Sequence, residues 1–454
     1  MYYFSLFLEK VFKALILIPA IVLLTNQTVI GQDLSAQAIS TQAWQSRNID
    51  SSTNFYIIQR SFNEYWKDRP VKKGSGWKQY KRWEWFWEQR VSPTGKFPDP
   101  EQLFIERPVL KNKKLDGTLG ANTWTQTGPR QITHNGEGLG RVNSVTTHPS
   151  NPSIIWAGAA TGGVWKSTDG GASWTCKTDH LPTLSIADIA IDPTNPDVMY
   201  LATGGFTFDE YRVGVLKSTD GGETWNTTGL TRQIGGMVRI LINPATPSTL
   251  LAASTNGIYR STNGGISWSK ALTADHLSKG AFRDMEFKPG DPSIVYASTD
   301  GGTVFRSTNG GASFTRITEG LPTGPVGRTE LAVSPADPNI VYALFVGGLT
   351  SDFGGLYRST NSGMSWTLMS SESPNILGVE LDGGPSGGQP SICLALAASP
   401  IDANVVLVGS IHTWRSQDGG ATWAITKVAD TVKGEFLVHV DKHCLYFAPG
   451  TSRL

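Results

Sequence analysis

From about residue 121 onward, apolar and polar residues alternate in short runs separated by clusters of Gly, Pro, Asn and Asp. That period of two belongs to half-buried strands, not helices. Six times the pattern closes on one eight-residue line: STDGGASW (167–174), STDGGETW (218–225), STNGGISW (261–268), STNGGASF (307–314), STNSGMSW (359–366) and SQDGGATW (416–423). The spacings of 51, 43, 46, 52 and 57 residues indicate a propeller or another repeat array. A short strand ending in a basic residue and serine enters each copy: VWKS, VLKS, IYRS, VFRS, LYRS and TWRS. About twenty residues earlier stands a second recurring line, such as THPSNPSIIWAG or IDPTNPDVMYLA, which reads as two strands around a Pro-marked turn. With the strand that leaves the octapeptide, each unit has four antiparallel strands. The predicted fold is all-β: a propeller of six recognisable blades plus a partial seventh, preceded by a small helical N-terminal segment.

The octapeptide falls on the hairpin between the third and fourth strands. Its glycines supply positive φ, its Asp or Asn accepts turn amides, and its aromatic opens the fourth strand and packs on the blade. A structural role is therefore expected for Asp169, Trp174, Asp220, Trp225, Asn263, Trp268, Asn309, Phe314, Asn361, Trp366, Asp418 and Trp423. Asn at three of these positions, and Ser362 in place of a Gly, suit a turn better than a catalytic carboxylate.

The N-terminal quarter has a different pattern. Lys10 and Lys13 precede an apolar run from Ala14 to Leu24, and Val29 and Gly31 stand before a cleavage point at Gln32, so residues 1–31 read as a secretory signal. The run falls well short of the roughly 20 residues that span a bilayer, and no membrane span is expected after cleavage. Within residues 32–120, Trp77, Tyr80, Trp83, Phe86 and Trp87 recur at helical spacing, which places them on one side of a helix ended by Pro93 and Gly95. They are read as packing against their own domain, with stacking on sugar rings as the alternative. A Pro- and Lys-rich linker, PDPEQLFIERPVLKNKK, follows.

Composition sharpens this reading. The chain has 454 residues with 50 Gly, 25 Pro and 15 Trp, which favours strands and turns. Its 39 Lys and Arg against 38 Asp and Glu give a net charge of +1, with no like-charge block that tracks a phosphate backbone, so nucleic acid is not an expected partner. Cys176, Cys393 and Cys444 exclude a dense disulfide framework but not one bridge, and core packing is their default reading.

The repeated S-x-D-G-G-x-x-W resembles the Asp-box, or BNR repeat, of sialidases, xyloglucanase-type glycoside hydrolases, sortilin-type receptors and photosystem assembly propellers. The stretch GRVNSVTTHPSNPSIIWAGAATGGVWKSTDGGASW is most similar to the last three. The resemblance covers about residues 121–454 and implies the fold; its families include both enzymes and binding proteins. The Phe/Tyr-Arg-Ile-Pro motif of sialidases is absent, which disfavours that activity. Xyloglucanase-type enzymes carry a catalytic Asp just before the Gly-Gly of the first blade, and Thr161 stands there in AATGGVWK. The expected function is thus a secreted propeller that binds a glycan or protein ligand without catalysis; the alternative is a glycoside hydrolase with two carboxylates on its loop face. No cofactor is implied.

If the octapeptides and the Pro-marked turns share one end of the propeller, the other face is built from irregular loops: FTFDEYR (206–212), FVGGLTSDFGG (345–355) and VELDGGPSGGQPS (379–391). Recognition usually lives on such loops. Asp209, Glu210, Tyr211, Arg212, Asp352, Glu380 and Asp382 are the ligand candidates there. Arg141, Arg239, Arg283 and Arg328 lie near the starts of innermost strands, where they either converge on the channel mouth to hold an anion or pair with acidic neighbours. His439, Asp441 and His443 alternate in VHVDKH and would face one side of a strand; without a fourth ligand, no metal is assigned. EFLVHVDKHCLYFAPGTSRL begins a seventh blade, and NTWTQTGPR (122–130) resembles a borrowed fourth strand. The ring would then stay open, so the chain is expected to be part of a longer protein.

Overall fold

The computed structural model describes residues 54–72, 75–98, 140–205, 212–231, 234–274, 280–348, 352–385, 387–427, 441–448 and 450–451. The sequence-predicted signal, the 122–130 strand, Asp209, Glu210, Tyr211 and His439 lie outside them. The chain divides into two compact units, residues 1–97 and 98–454.

In the first unit, α1 (Phe55–Trp66) and α2 (Trp77–Glu88) form a helical pair. Asn54 caps α1, its side-chain oxygen accepting the Tyr56 and Ile57 amides at 3.0 and 3.3 Å. Phe55, Ile58, Phe62, Tyr80 and Phe97 are buried, with Trp77, Trp83 and Trp87 packed against them. Phe62 and Tyr80 stack at 3.7 Å between ring centroids. Phe86 departs from the expected single face. At 100° per residue it lies well round the helix from that core, and it is exposed, with the Arg90 guanidinium over its ring at 3.9 Å.

The second unit is a β-propeller whose described residues form six four-stranded antiparallel sheets. Blade one is the meander β1 (Val142–His148), β2 (Asn151–Ala159), β3 (Gly163–Ser167) and β4 (Thr175–Cys176). The same order recurs in β5–β8 (186–227), β9–β12 (237–273), β13–β16 (282–317), β17–β20 (326–370) and β21–β24 (395–427). First strands line the central channel: β1, β5 (Ile186–Ile191), β9 (Met237–Ile242), β13 (Phe282–Phe287), β17 (Val326–Val333) and β21 (Ala395–Ala398).

The core lies between blades. Trp156, Tyr200, Tyr296 and Tyr342 recur in the second strands and are almost wholly buried. The closing aromatic of four octapeptides shares a cluster with the second-strand aromatic of the preceding blade: Trp225 clusters with Trp156, Trp268 with Tyr200, Trp366 with Tyr296 and Trp423 with Tyr342. The sequence suggested packing within the aromatic's own blade; the clusters make it a joint between neighbours. Trp174 of blade one is 40% exposed. Residues 441–448 run between blades six and one. The Lys442 amide donates to Ser410 O at 2.8 Å, and Tyr446 Oη lies 3.1 Å from Thr147 Oγ1. This segment has no strand ladder, and Asp441 takes φ +71°, so the alternation expected through Asp441 and His443 does not form.

Candidate functional site

The octapeptide geometry is self-contained. Ser167 Oγ donates to Asp169 Oδ1 at 2.7 Å and accepts the Gly171 amide at 2.9 Å. Asp169 Oδ1 also accepts the Ser173 amide at 2.9 Å, Oδ2 accepts the Ser173 hydroxyl at 2.6 Å, and Trp174 Nε1 closes onto Gly171 O. In the Asn copies Oδ1 keeps the amide, while Nδ2 donates to the same hydroxyl, as from Asn263 to Ser267 at 2.8 Å. A hydroxyl both donates and accepts, so Asp and Asn interchange. Gly170 and Gly171 have φ +73° and +94°; Ser362 holds φ +59°, with Lys288 and Asn339 bonded to its hydroxyl. The Ser173 hydroxyl, the Ser173 amide and the Ser167 hydroxyl lower the Asp169 carboxyl to about 2. Such a group does not hold a proton for general acid chemistry near neutrality.

The central channel encloses about 560 Å³ and receives Arg141, Arg239, Arg283 and Arg328 together. Acidic neighbours and backbone carbonyls hold Arg239, Arg283 and Arg328. Arg239 Nε lies 3.1 Å from Asp284, and its terminal nitrogen bonds Glu286. Arg283 bonds Asp300. Arg328 bonds Glu330 at 2.6 Å and the carbonyl of Leu394 at 3.1 Å. Carboxylates stitch adjacent innermost strands. Asp188 accepts Ser144 Oγ and the Ile240 amide at 2.7 and 3.0 Å, and Asp284 accepts the Leu331 amide at 3.0 Å. Burial is the largest influence on Glu330, and Asp284 adds to it; together they outweigh Arg328 and raise its carboxyl to about 7. Burial, then Arg141 and Arg328, lowers His443 to about 4, which keeps it neutral. No group of three or more His, Cys, Asp or Glu that could hold a metal occurs among the described residues. The sequence analysis missed Asp188, Asp284, Glu286 and Glu330; the signal was acidic residues interrupting otherwise apolar first strands.

On the face away from the octapeptides, Arg212 packs its stem over Gly204, and Asp352 immediately precedes β19 (Phe353–Ser359), its carbonyl accepting the amide of Gly347 at the end of β18 (Val341–Gly347) at 2.9 Å. Glu380 and Asp382 come together in the crossing from blade five to blade six. A β-carbon on Gly384 would sit 1.6 Å from Glu380 Oε2 and 3.3 Å from Asp382 Oδ1. One oxygen of each carboxylate therefore lies within about 5 Å of the other. Arg328 anchors this crossing through its carbonyl contacts. In blade one, Thr161 is exposed on the β2–β3 loop, beside Trp165. Trp165, which the sequence reading passed over, is 39% exposed and donates Nε1 to Gly162 O at 2.9 Å.

Fold and repeat geometry define an Asp-box β-propeller, and the chain is one. A family model for sortilin and neurotensin receptor 3 matches residues 256–377. The chain is 32% identical over 154 residues to a xyloglucanase of Paenibacillus sp, covering 30% of this chain and 15% of that one. It is 30% identical over 152 residues to a xyloglucanase of Hypocrea jecorina, covering 30% of this chain and 18% of that one. The chain thus spans under a fifth of the length of these curated relatives. The crystal structure of an ancestral GH74 enzyme superposes with a TM-score of 0.51 at 20% identity, covering 67% of this chain and 40% of that one. The propeller is glycoside-hydrolase-like, which favours the hydrolase alternative over the expectation of non-catalytic glycan or protein binding. No helix among the described residues is long and apolar enough to cross a membrane.

Proposed function

We propose that the chain is a secreted, glycoside-hydrolase-like propeller that holds a xyloglucan-type β-glucan across the face opposite its octapeptides. The observation that carries this reading is Trp165, an exposed indole beside the Thr161 loop. Pyranose rings present an apolar C–H face that stacks on such a surface. The xyloglucanase relatives supply the ligand class. Affinity electrophoresis in gels containing xyloglucan tests it: retardation is expected and should weaken about tenfold in Trp165→Ala. Migration unaffected by xyloglucan, or equal retardation of both proteins, overturns the reading.

A second reading, hydrolysis, is favoured by the approach of Glu380 and Asp382. Thr161 offers no carboxylate in blade one, so cleavage would fall to this pair. Release of reducing ends from xyloglucan, abolished in both Glu380→Gln and Asp382→Asn, supports it. Retardation without release leaves binding as the function of this chain.

A further inference from the structure

We infer that α2 of the first unit carries a separate binding site for an acidic polysaccharide, one whose sugars bear carboxylates. A cleft of about 340 Å³ is lined by Trp77, Lys78, Lys81, Arg82 and Trp85. All five come from α2, whose opposite side is fixed by Tyr80, Trp83 and Trp87 in the core, so the helix is a rigid platform. Trp85 is 66% exposed, the largest such value among the aromatic side chains on the described surface. Lys78 and Arg82 are exposed beside it. Lys81 bonds Glu84 at 2.5 Å, and its ammonium lies 6.0 Å from the centre of the Trp77 ring, so one cation is held beside that indole.

The order of these groups around the helix selects the ligand. At 100° per residue, starting from Trp77, the sequence around the axis is Trp77, Lys81, Trp85, Lys78, Arg82, all within about 140°. Aromatic and cationic groups are interleaved. A helix that lies on a bilayer segregates them, with its rings on one face and its charges on the other. Interleaving suits a chain whose rings stack while its charges alternate with them, as in a polyuronate. Electrostatics agree. Residues 54–98 hold ten Lys and Arg against four Asp and Glu, while the whole chain is nearly neutral. This site does not depend on the function proposed for the propeller.

Affinity electrophoresis of the full chain in polygalacturonate tests the proposal, with vesicles of phosphatidylglycerol and an oligothymidylate as competing probes. Retardation by polygalacturonate is expected; it should fall about tenfold in Trp85→Ala and in the double variant Lys78→Gln, Arg82→Gln. It should also fade as salt approaches about 0.5 M. Both variants alter exposed side chains, so circular dichroism and melting should match the parent protein. Trp165→Ala should leave polygalacturonate retardation unchanged. No retardation, retardation indifferent to these variants, or preferential capture by vesicles or oligothymidylate overturns the proposal.

Discussion

Arg260, the basic residue that precedes the third octapeptide, donates its Nε to the carbonyl of Gly310 in the fourth at 3.0 Å. The same reach recurs from blade to blade. Lys166 meets Gly221 O at 3.4 Å, Lys217 meets Gly264 O at 3.3 Å, and Arg306 meets Ser362 O at 2.8 Å. The basic residue in VWKS and its counterparts is thus a strap to the next blade. A hydrogen bond from a charged donor contributes about 2 kcal/mol. Arg260→Met, which keeps the apolar stem, should lower unfolding free energy by about that amount in urea titration. Arg260→Lys should lose less, because lysine makes this reach in blades one and two.

The octapeptide carboxylates should matter to stability and not to ligand binding. Asp169→Asn should be close to neutral at pH 7, since Asn263 already makes the same turn with its amide donating to Ser267. Asp169→Ala, which leaves the Ser173 amide without its acceptor, should lower the melting temperature. The folded-state carboxyls of Asp169 and Asp220 are lowered to about 2 from 3.8. Their contribution is therefore present above pH ~4 and lost as pH falls through about 2. Melting curves of the double variant Asp169→Asn, Asp220→Asn should show a shallower acid limb than the parent.

Repetition made the fold legible. Six copies of one octapeptide, each with an upstream Pro-turn line, specify blade, strand order and the end that carries the turns. The aromatic joints were only half legible: Trp225 was visible as a packing residue, yet its partner Trp156 belongs to the preceding blade, a contact that sequence spacing does not encode. The candidate site was less legible still. Glu380 and Asp382 were named from a variable loop, but their approach depends on Gly384 lying between them. Trp165 shares its strand position with Leu216 and Phe305, both buried, so the repeat pattern does not mark it as exposed. Phe86 was misplaced because helical spacing gives an angle without saying where the core ends.

Glu330 gives the channel a measurable pH response. Arg328 and Arg283 favour its charged form, while burial and Asp284 oppose it, and its carboxyl is raised to about 7 from 4.5. Between those values the folded protein holds a proton that the unfolded chain releases. Stability should therefore decline as pH rises from about 4.5 to 7 and level off above. Glu330→Gln should flatten that slope. An unchanged slope in the variant would assign the response to other groups.

Docking of residues 441–448 can be read through one buried thiol. Cys393 is fully buried, with Sγ 3.4 Å from Asp441 Oδ1 and 3.9 Å from Ser410 Oγ. Burial and the Asp441 charge push its thiol up to about 11, so it should resist thiol reagents at neutral pH. The segment rests on Gly409: a β-carbon there would come within 2.8 Å of Lys442 Cβ and 3.2 Å of Leu445 Cδ1. Gly409→Leu should force the segment off, at a cost of about 1–3 kcal/mol. Cys393 should then react with a chromogenic disulfide reagent faster than in the parent protein, while Lys442→Met, which loses only the 2.8 Å bond to Ile411 O, should show a smaller increase. Equal labelling rates in all three proteins would mean that the segment does not guard this thiol.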